Sequence, residues 1–299
     1  MSHDIERRGM LQGLTAGIVA SAVPGRVAAQ SPTVLETREI RGDDGTPLNL
    51  VTAGQSGGRS ILFLHGFSQS YMSFLPQLTD RELGDGFRLA AFDLRGHGAS
   101  GKPWTSAAYL ESRRWAEDIA AVMRAARLDR PLVVAWSFGG YCALDYIRHF
   151  GTSELGGLLL VGSNAGLLPR PPGAGAIATN DLQTQIADAE TFMRLMSAKP
   201  LPLDAVMRGR AAYLMCPPYV RRAMLGRNLD NSELAARLQL PFRIILGGHD
   251  PLARPEQLKA LRVKAPQAVI NLYADCGHSP FLEDVKRFNA EVLAFANTL

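Results

Sequence analysis

Three side chains stand out by where they fall along the chain. Ser137 lies in Ala135-Trp136-Ser137-Phe138-Gly139-Gly140, between a short apolar run and a helical pattern. A serine on a sharp strand-to-helix turn is a nucleophile elbow: the turn lifts the hydroxyl clear, and small neighbours let the helix pack close. Gly139 and Gly140 give that room, while Ala135 stands where the pattern usually has its first glycine. A serine hydroxyl is a weak nucleophile until a base takes its proton. Among six histidines, His278 in Cys276-Gly277-His278-Ser279-Pro280 follows the last strand-like run. Asp250, in Gly247-Gly248-His249-Asp250-Pro251, follows the one before. Taken singly, each has an ordinary structural use: a helix cap for the serine, a turn residue before proline for the aspartate, a capping loop for the histidine. Together, in the order Ser137, Asp250, His278, they point to acyl transfer, with the aspartate orienting the imidazole.

Acyl transfer also needs donors aimed at the developing oxyanion. The backbone N–H of Phe138 is one candidate, helped by the positive end of the helix behind it. The N–H of Phe67, in His65-Gly66-Phe67-Ser68, is the other. His65 and Gly66 shape that turn and are candidates for the substrate pocket, with Trp136 beside the serine. Asp93 to Ser100, dense in turn formers and charge, reads as a structural network beneath these loops.

These residues need a frame that brings several loops to one edge. Val34 to Ile40 and Leu48 to Thr52 read as two antiparallel opening strands around a turn at 42–45. Six apolar runs follow: Ile61 to Leu64, Phe87 to Phe92, Leu132 to Ala135, Gly157 to Val161, Phe242 to Leu246 and Ala268 to Tyr273. Short continuous apolar runs fit strands buried on both faces. Helical periodicity over Ala107 to Arg127 and Phe281 to Ala296 lies between and after them. The alternation implies an α/β fold, a mostly parallel eight-stranded sheet with helices on both faces. Ligands of such sheets bind at the carboxyl ends of the strands, where all three residues fall.

From Asn164 to Leu238 no strand pattern appears. Helical stretches are expected at about 181–197, 203–214, 218–227 and 231–237, since a structureless loop of that length is uncommon. This is read as a helical cap inserted at 164–238 into a core made of 30–163 and 239–299. Met193 and Met196 of the cap are candidate pocket residues, and Arg208, Arg210, Arg221 and Arg222 are available to meet a carboxylate.

The chain has 299 residues, 46% hydrophobic and 20% charged, with a formal net charge of +4 and no basic run, so nucleic acid is not an expected partner. Cys142, Cys216 and Cys276 show no metal-ligand spacing, and whether two of them pair is open. Arg7-Arg8, an apolar stretch from Met10 to Val23 and small residues before a cut after Ala29 have the three parts of an export signal at 1–29. The apolar part is shorter than the about 20 residues that span a bilayer, so no stable membrane anchor is expected. The segment resembles a twin-arginine signal, which implies a periplasmic protein; a cytoplasmic one with a frayed N-terminal tail is the alternative.

The His65-Gly66 loop, the segment Asp93 to Ser100, the elbow at Ser137, the loop at Asp250 and Gly277-His278 before Ser279-Pro280 together resemble the α/β-hydrolase superfamily, over about 34–299. The resemblance implies its fold and a serine triad acting on a small-molecule ester or lactone, without metal or organic cofactor. The nearest subgroups by motif are serine esterases, enol-lactonases and cofactor-free haloperoxidases that act as perhydrolases. Serine in place of aspartate argues against haloalkane dehalogenases and epoxide hydrolases. Interception of an acyl-enzyme by peroxide or another alcohol, and a catalytically silent binding module, are the alternatives. Substrate identity and oligomeric state are not read from the sequence.

Overall fold

The computed structural model describes residues 33–169, 179–253 and 257–299. Its centre is an eight-stranded sheet: β1 (Glu36–Arg41), β2 (Pro47–Gly54), β3 (Arg59–Leu64), β4 (Phe87–Phe92), β5 (Leu132–Trp136), β6 (Gly157–Val161), β7 (Phe242–Gly247) and β8 (Val269–Tyr273). Their spatial order is β1-β2-β4-β3-β5-β6-β7-β8. β2 runs antiparallel to both β1 and β4; the pairings from β4 through β3 to β8 are all parallel.

Alternate residues of the central strands feed opposite faces. Leu62, Leu64, Leu158 and Leu160 pack with Trp115, Ile119 and Leu144 on one side. Ile61, Phe63, Leu159 and Val161 pack with Phe74, Leu83, Phe288 and Val292 on the other. Both faces are therefore dry, which is why these strands read as unbroken apolar runs.

The helices are α1 (Leu75–Leu78), α2 (Arg81–Gly86), α3 (Ala107–Leu110), α4 (Ser112–Ala126), α5 (Phe138–Phe150), α6 (Leu182–Leu195), α7 (Leu203–Met215), α8 (Pro218–Leu225), α9 (Leu258–Lys264), α10 (Pro280–Glu283) and α11 (Val285–Ala296). Two helices expected to be continuous are broken. The first divides at Glu111, where ψ is 116°. The Trp115 indole N–H donates to the Tyr109 carbonyl at 3.0 Å, occupying an acceptor that a continuous helix would use. The second divides at Asp284 (φ −141°, ψ 65°), whose carboxylate caps α11 by accepting from the Arg287 N–H. Between β6 and β7, α6 to α8 and a 3₁₀ turn at Ser232–Arg237 are the described regular elements. Cys216, Val220, Met224 and Leu234 from this stretch join the core on the α4–α5 side of the sheet.

Cys142, Cys216 and Cys276 are buried free thiols. Among the described residues no helix is long and apolar enough to cross a membrane. The export signal expected at 1–29 lies outside the described residues.

The segment Asp93 to Ser100 is the network its composition suggests. The buried Asp93 carboxylate accepts from the Asn49 side chain, the Tyr71 N–H and the Ala99 N–H. Arg95 grips Asp118 of α4 through two 2.7 Å bonds and reaches Asp44 at 3.0 Å. Both members of the Arg95–Asp118 pair are 1% exposed. Removing one partner of a buried pair strands the other charge. Asp118→Ala is expected to lower the unfolding free energy by about 3–5 kcal/mol, read from urea denaturation curves; a shift below about 1 kcal/mol would mean that Asp44 alone satisfies Arg95.

Candidate active site

β5 ends at Trp136 and α5 begins at Phe138, so Ser137 makes the whole turn by itself. Its φ of 51° and ψ of −115° lie outside the ordinary allowed regions for a residue with a side chain. The turn is held from both sides. The Ser137 N–H donates to the Val161 carbonyl at 2.9 Å, and its carbonyl accepts from the Gly140 N–H at 3.0 Å and the Ser163 hydroxyl at 2.9 Å. α5 is pressed so close to the end of β3 that a Cβ on Gly139 would stand 2.4 Å from the Leu64 carbonyl oxygen. The Ser137 residue is partly exposed, at the first turn of a 13-residue helix whose leading N–H groups have no intrahelical acceptor.

Asp250 and His278 come from the loops after β7 and β8. His278 Nδ1 lies 2.8 Å from Asp250 Oδ2, with both side chains buried. The other carboxylate oxygen accepts from the N–H groups of Leu252 and Ala253, at 2.7 and 2.9 Å. Burial pushes the Asp250 carboxyl up, but the facing imidazole and the two amides outweigh it and hold it below the ordinary carboxylate value. Since a carboxylate only accepts, His278 Nδ1 carries the proton. His278 Nε2 is buried and has no hydrogen-bond partner. The Trp136 indole fixes the loop by donating to the His278 carbonyl at 2.9 Å, and the two rings lie 5.7 Å apart.

The loop after β3 lies against the Ser137 turn. A Cβ on Gly66 would sit 3.1 Å from both the Ser137 Cβ and the Trp136 ring. The Phe67 and Phe138 rings meet edge-on at 6.4 Å, so the two residues expected to donate to an oxyanion are neighbours. Such an arrangement can hold a proton-accepting nitrogen, a hydroxyl and a helix N-terminus within one small region.

A match to the model of the alpha/beta hydrolase family extends over residues 61–291. The chain belongs to the alpha/beta hydrolase family. This hydrolase is 26% identical over 259 residues to AB hydrolase superfamily protein YisY of Bacillus subtilis (strain 168), covering 81% of this chain and 92% of the relative. Among solved structures it resembles a protein from Burkholderia cenocepacia provisionally assigned as an aryl esterase, with a TM-score of 0.82 and 29% identity. That match covers 88% of this chain and 98% of the other. The esterase RhEst1 from Rhodococcus sp. ECU1013 gives a TM-score of 0.75, also at 29% identity, over 88% of this chain and 99% of its own.

Not every residue read into the pocket lies open to it. In this hydrolase His65 is fully buried and committed to backbone: Nε2 accepts from the Leu94 N–H at 2.9 Å and Nδ1 faces the Gly66 carbonyl at 2.8 Å. It braces the loop and does not line the cavity. His97 does the same job beside it, accepting from the Ser68 N–H at 3.2 Å. Met193 and Met196 are buried and line a small cavity with Trp136 and Ser279. Two supporting residues were invisible to sequence reasoning. Ser163 grips the Ser137 carbonyl from the loop after β6. Glu283 collects the N–H groups of Gly277, Ala198 and Lys199, at 2.8–3.1 Å, tying the histidine loop to the α6–α7 connection. No spacing rule marks either.

Burial holds His65 and His97 neutral, and each accepts a backbone N–H that a protonated ring would repel. Their pKa values fall to about 4 and about 3 from an ordinary 6.5. The unfolded chain therefore binds more protons over this window. Stability is complete above pH 6.5 and falls as the pH drops toward 4, by up to about 1.4 kcal/mol per unit for each histidine. The decline of the urea midpoint from pH 7 to pH 5 that the histidines contribute should be smaller in His97→Gln than in the wild type; identical slopes in the two proteins would show that the His97 ring is not buried neutral.

Proposed function

We propose that this hydrolase cleaves small-to-medium carboxylic esters or lactones through an acyl-enzyme on Ser137. The reading is carried by one observation: His278 has its Nδ1 proton fixed on Asp250, and its Nε2 lone pair is buried and unpartnered. A base so arranged has one use for that lone pair, which is to take the proton of a hydroxyl on the adjacent turn.

In this mechanism Ser137 Oγ attacks the ester carbonyl as its proton passes to His278 Nε2. The carbonyl π electrons move to oxygen, and the Phe138 and Phe67 N–H groups receive the negative charge. Asp250 stabilises the imidazolium. Collapse of the tetrahedral intermediate breaks the bond to the leaving alkoxide, which takes the proton from Nε2. Water then repeats the sequence, giving its proton to His278 and its hydroxyl to the acyl carbon, and Ser137 recovers its proton as the acid leaves. Every step uses groups of this chain and water alone.

Three considerations support ester substrates. The Phe67 ring meets that of Phe138, next to Ser137, and that of Phe192, at 6.4 and 6.5 Å, so aromatic side chains gather on this side of the turn. The two solved structures named above bear esterase assignments at 29% identity. Helices α6 to α8 fit the part of a cap over the site, their connection already tied to the histidine loop by Glu283.

A fluorophosphonate probe should modify Ser137, located by peptide mass mapping. Ser137→Ala should abolish labelling and p-nitrophenyl acetate hydrolysis, and Asp250→Asn should lower kcat by on the order of 10³–10⁴-fold by favouring the wrong imidazole tautomer. Full esterase activity in Ser137→Ala would overturn the assignment.

A further inference from the structure

The sheet ends in two edge strands, and they are built differently. β1 forms one edge, with Glu36, Arg38, Glu39 and Arg41 among its six residues. Charges of this kind keep an edge from pairing with another chain. β8 forms the other edge and reads Val269-Ile270-Asn271-Leu272-Tyr273, with neither charge nor proline. Among the described residues, β7 is the one strand that pairs with it. Val269 is 54% exposed and Leu272 41%, whereas β5 and β6 are buried at every position. Val263, in the helix α9 that precedes β8, is 78% exposed.

The backbone of β8 shows what this edge offers. The Tyr273 carbonyl accepts from the Gly248 N–H at 2.8 Å, on the β7 side. Backbone groups alternate in direction along a strand, so those of Tyr273, Asn271 and Val269 face β7, and those of Ile270 and Leu272 face outward. In an antiparallel pairing with a second β8, Ile270 exchanges both N–H···O=C bonds with Leu272 of the other copy, and Leu272 with its Ile270. Asn271 then lies opposite itself on a two-fold axis, in a non-hydrogen-bonded pair, and Val269 meets Tyr273 at each end. This register pairs all five residues and sets apolar side chains against apolar ones and amide against amide. Side chains also stay on matching faces. Asn271 and Tyr273 both bond to Glu291 of α11, while Ile270 packs with the core on the other side of the sheet.

Charge decides which strand fits. Laying β1 of another copy on β8 would set its four charged residues along a strand that has no charge to meet them. A β8–β8 contact brings no strand charge into the seam, and being isologous it closes after two copies. We infer that β8 is a self-association edge, through which two copies of this chain join their sheets about a two-fold axis at Asn271.

Sedimentation equilibrium of the full chain from about 1 to about 100 µM tests this. The mass should approach twice that of one chain, and Leu272→Lys should raise the dissociation constant at least about tenfold. Cysteine substitution reads the register. Cα atoms of a non-hydrogen-bonded antiparallel pair lie about 4.5 Å apart, within disulfide reach. Asn271→Cys should therefore form a disulfide-linked dimer with oxidised glutathione, whereas Leu272→Cys, which faces Ile270, should not. Cys142, Cys216 and Cys276 are buried and do not compete. A single-chain mass at every concentration would overturn the inference. So would a dimer that Leu272→Lys leaves intact, or one in which Leu272→Cys cross-links as readily as Asn271→Cys. Should Leu272→Lys fail to fold, as seen by circular dichroism, the wild-type mass and the two cysteine variants decide.

Discussion

The backbone of Ser137 is the constraint on which the rest of the site depends. A φ of 51° with ψ of −115° costs on the order of 1–3 kcal/mol for a residue with a side chain, and it persists only because its surroundings leave no alternative. Three hydrogen bonds hold the turn, one to β6, one within α5 and one from Ser163. The close fit of α5 on β3 forbids the helix from sliding back to relieve it. A second tie acts further along the same helix: Arg227, beyond α8, meets both carboxylate oxygens of Asp145 at 2.6 Å in a buried pair. The helix behind the turn is thus anchored to the sheet on one side and to the stretch between β6 and β7 on the other.

The parallel sheet explains why the other two residues arrive at the same place. Strands that all run one way deliver their following loops to one edge, so the loops after β3, β5, β7 and β8 are neighbours in space though far apart in sequence. Their precision comes from supports that carry no chemistry themselves. His65 and His97 brace the Phe67 loop through their neutral rings, Trp136 holds the His278 carbonyl, and Glu283 gathers the amides of two loops. Glu283 ties the His278 loop to the α6–α7 connection, and Arg227, beyond α8, ties α5 to the stretch between β6 and β7.

The strands were legible because both faces of the sheet are covered. Ile61 to Leu64 and Leu132 to Trp136 are apolar at every position, a pattern that solvent-exposed sheets lack. β4 and β6 fall where the apolar runs put them, at Phe87–Phe92 and Gly157–Val161. Helix ends were less legible. Periodicity runs straight through Glu111 and Asp284, and it takes the Trp115 indole and the Asp284 cap, both tertiary or side-chain choices, to break the helices there. Ser137, Asp250 and His278 stood out in the sequence because each falls near glycine at the end of a strand-like run. Their spacing said nothing about Ser163 or Glu283, which act through single contacts from separate loops. His65, a candidate for the substrate pocket from its place on the Phe67 loop, is fully buried, with its ring spent on the backbone of Leu94 and Gly66.

On the proposed mechanism, Ser137 attacks an acyl carbon whose oxygen is received by the Phe67 and Phe138 N–H groups. A crystal structure of the protein after reaction with a fluorophosphonate tests it directly, since the phosphoryl oxygen stands in for the oxyanion. Phosphorus is expected on Ser137 Oγ, with its oxygen at about 2.7–3.1 Å from both amide nitrogens and His278 Nε2 turned toward Oγ. Phosphorus on another residue, or an oxygen pointing away from both amides, would contradict it.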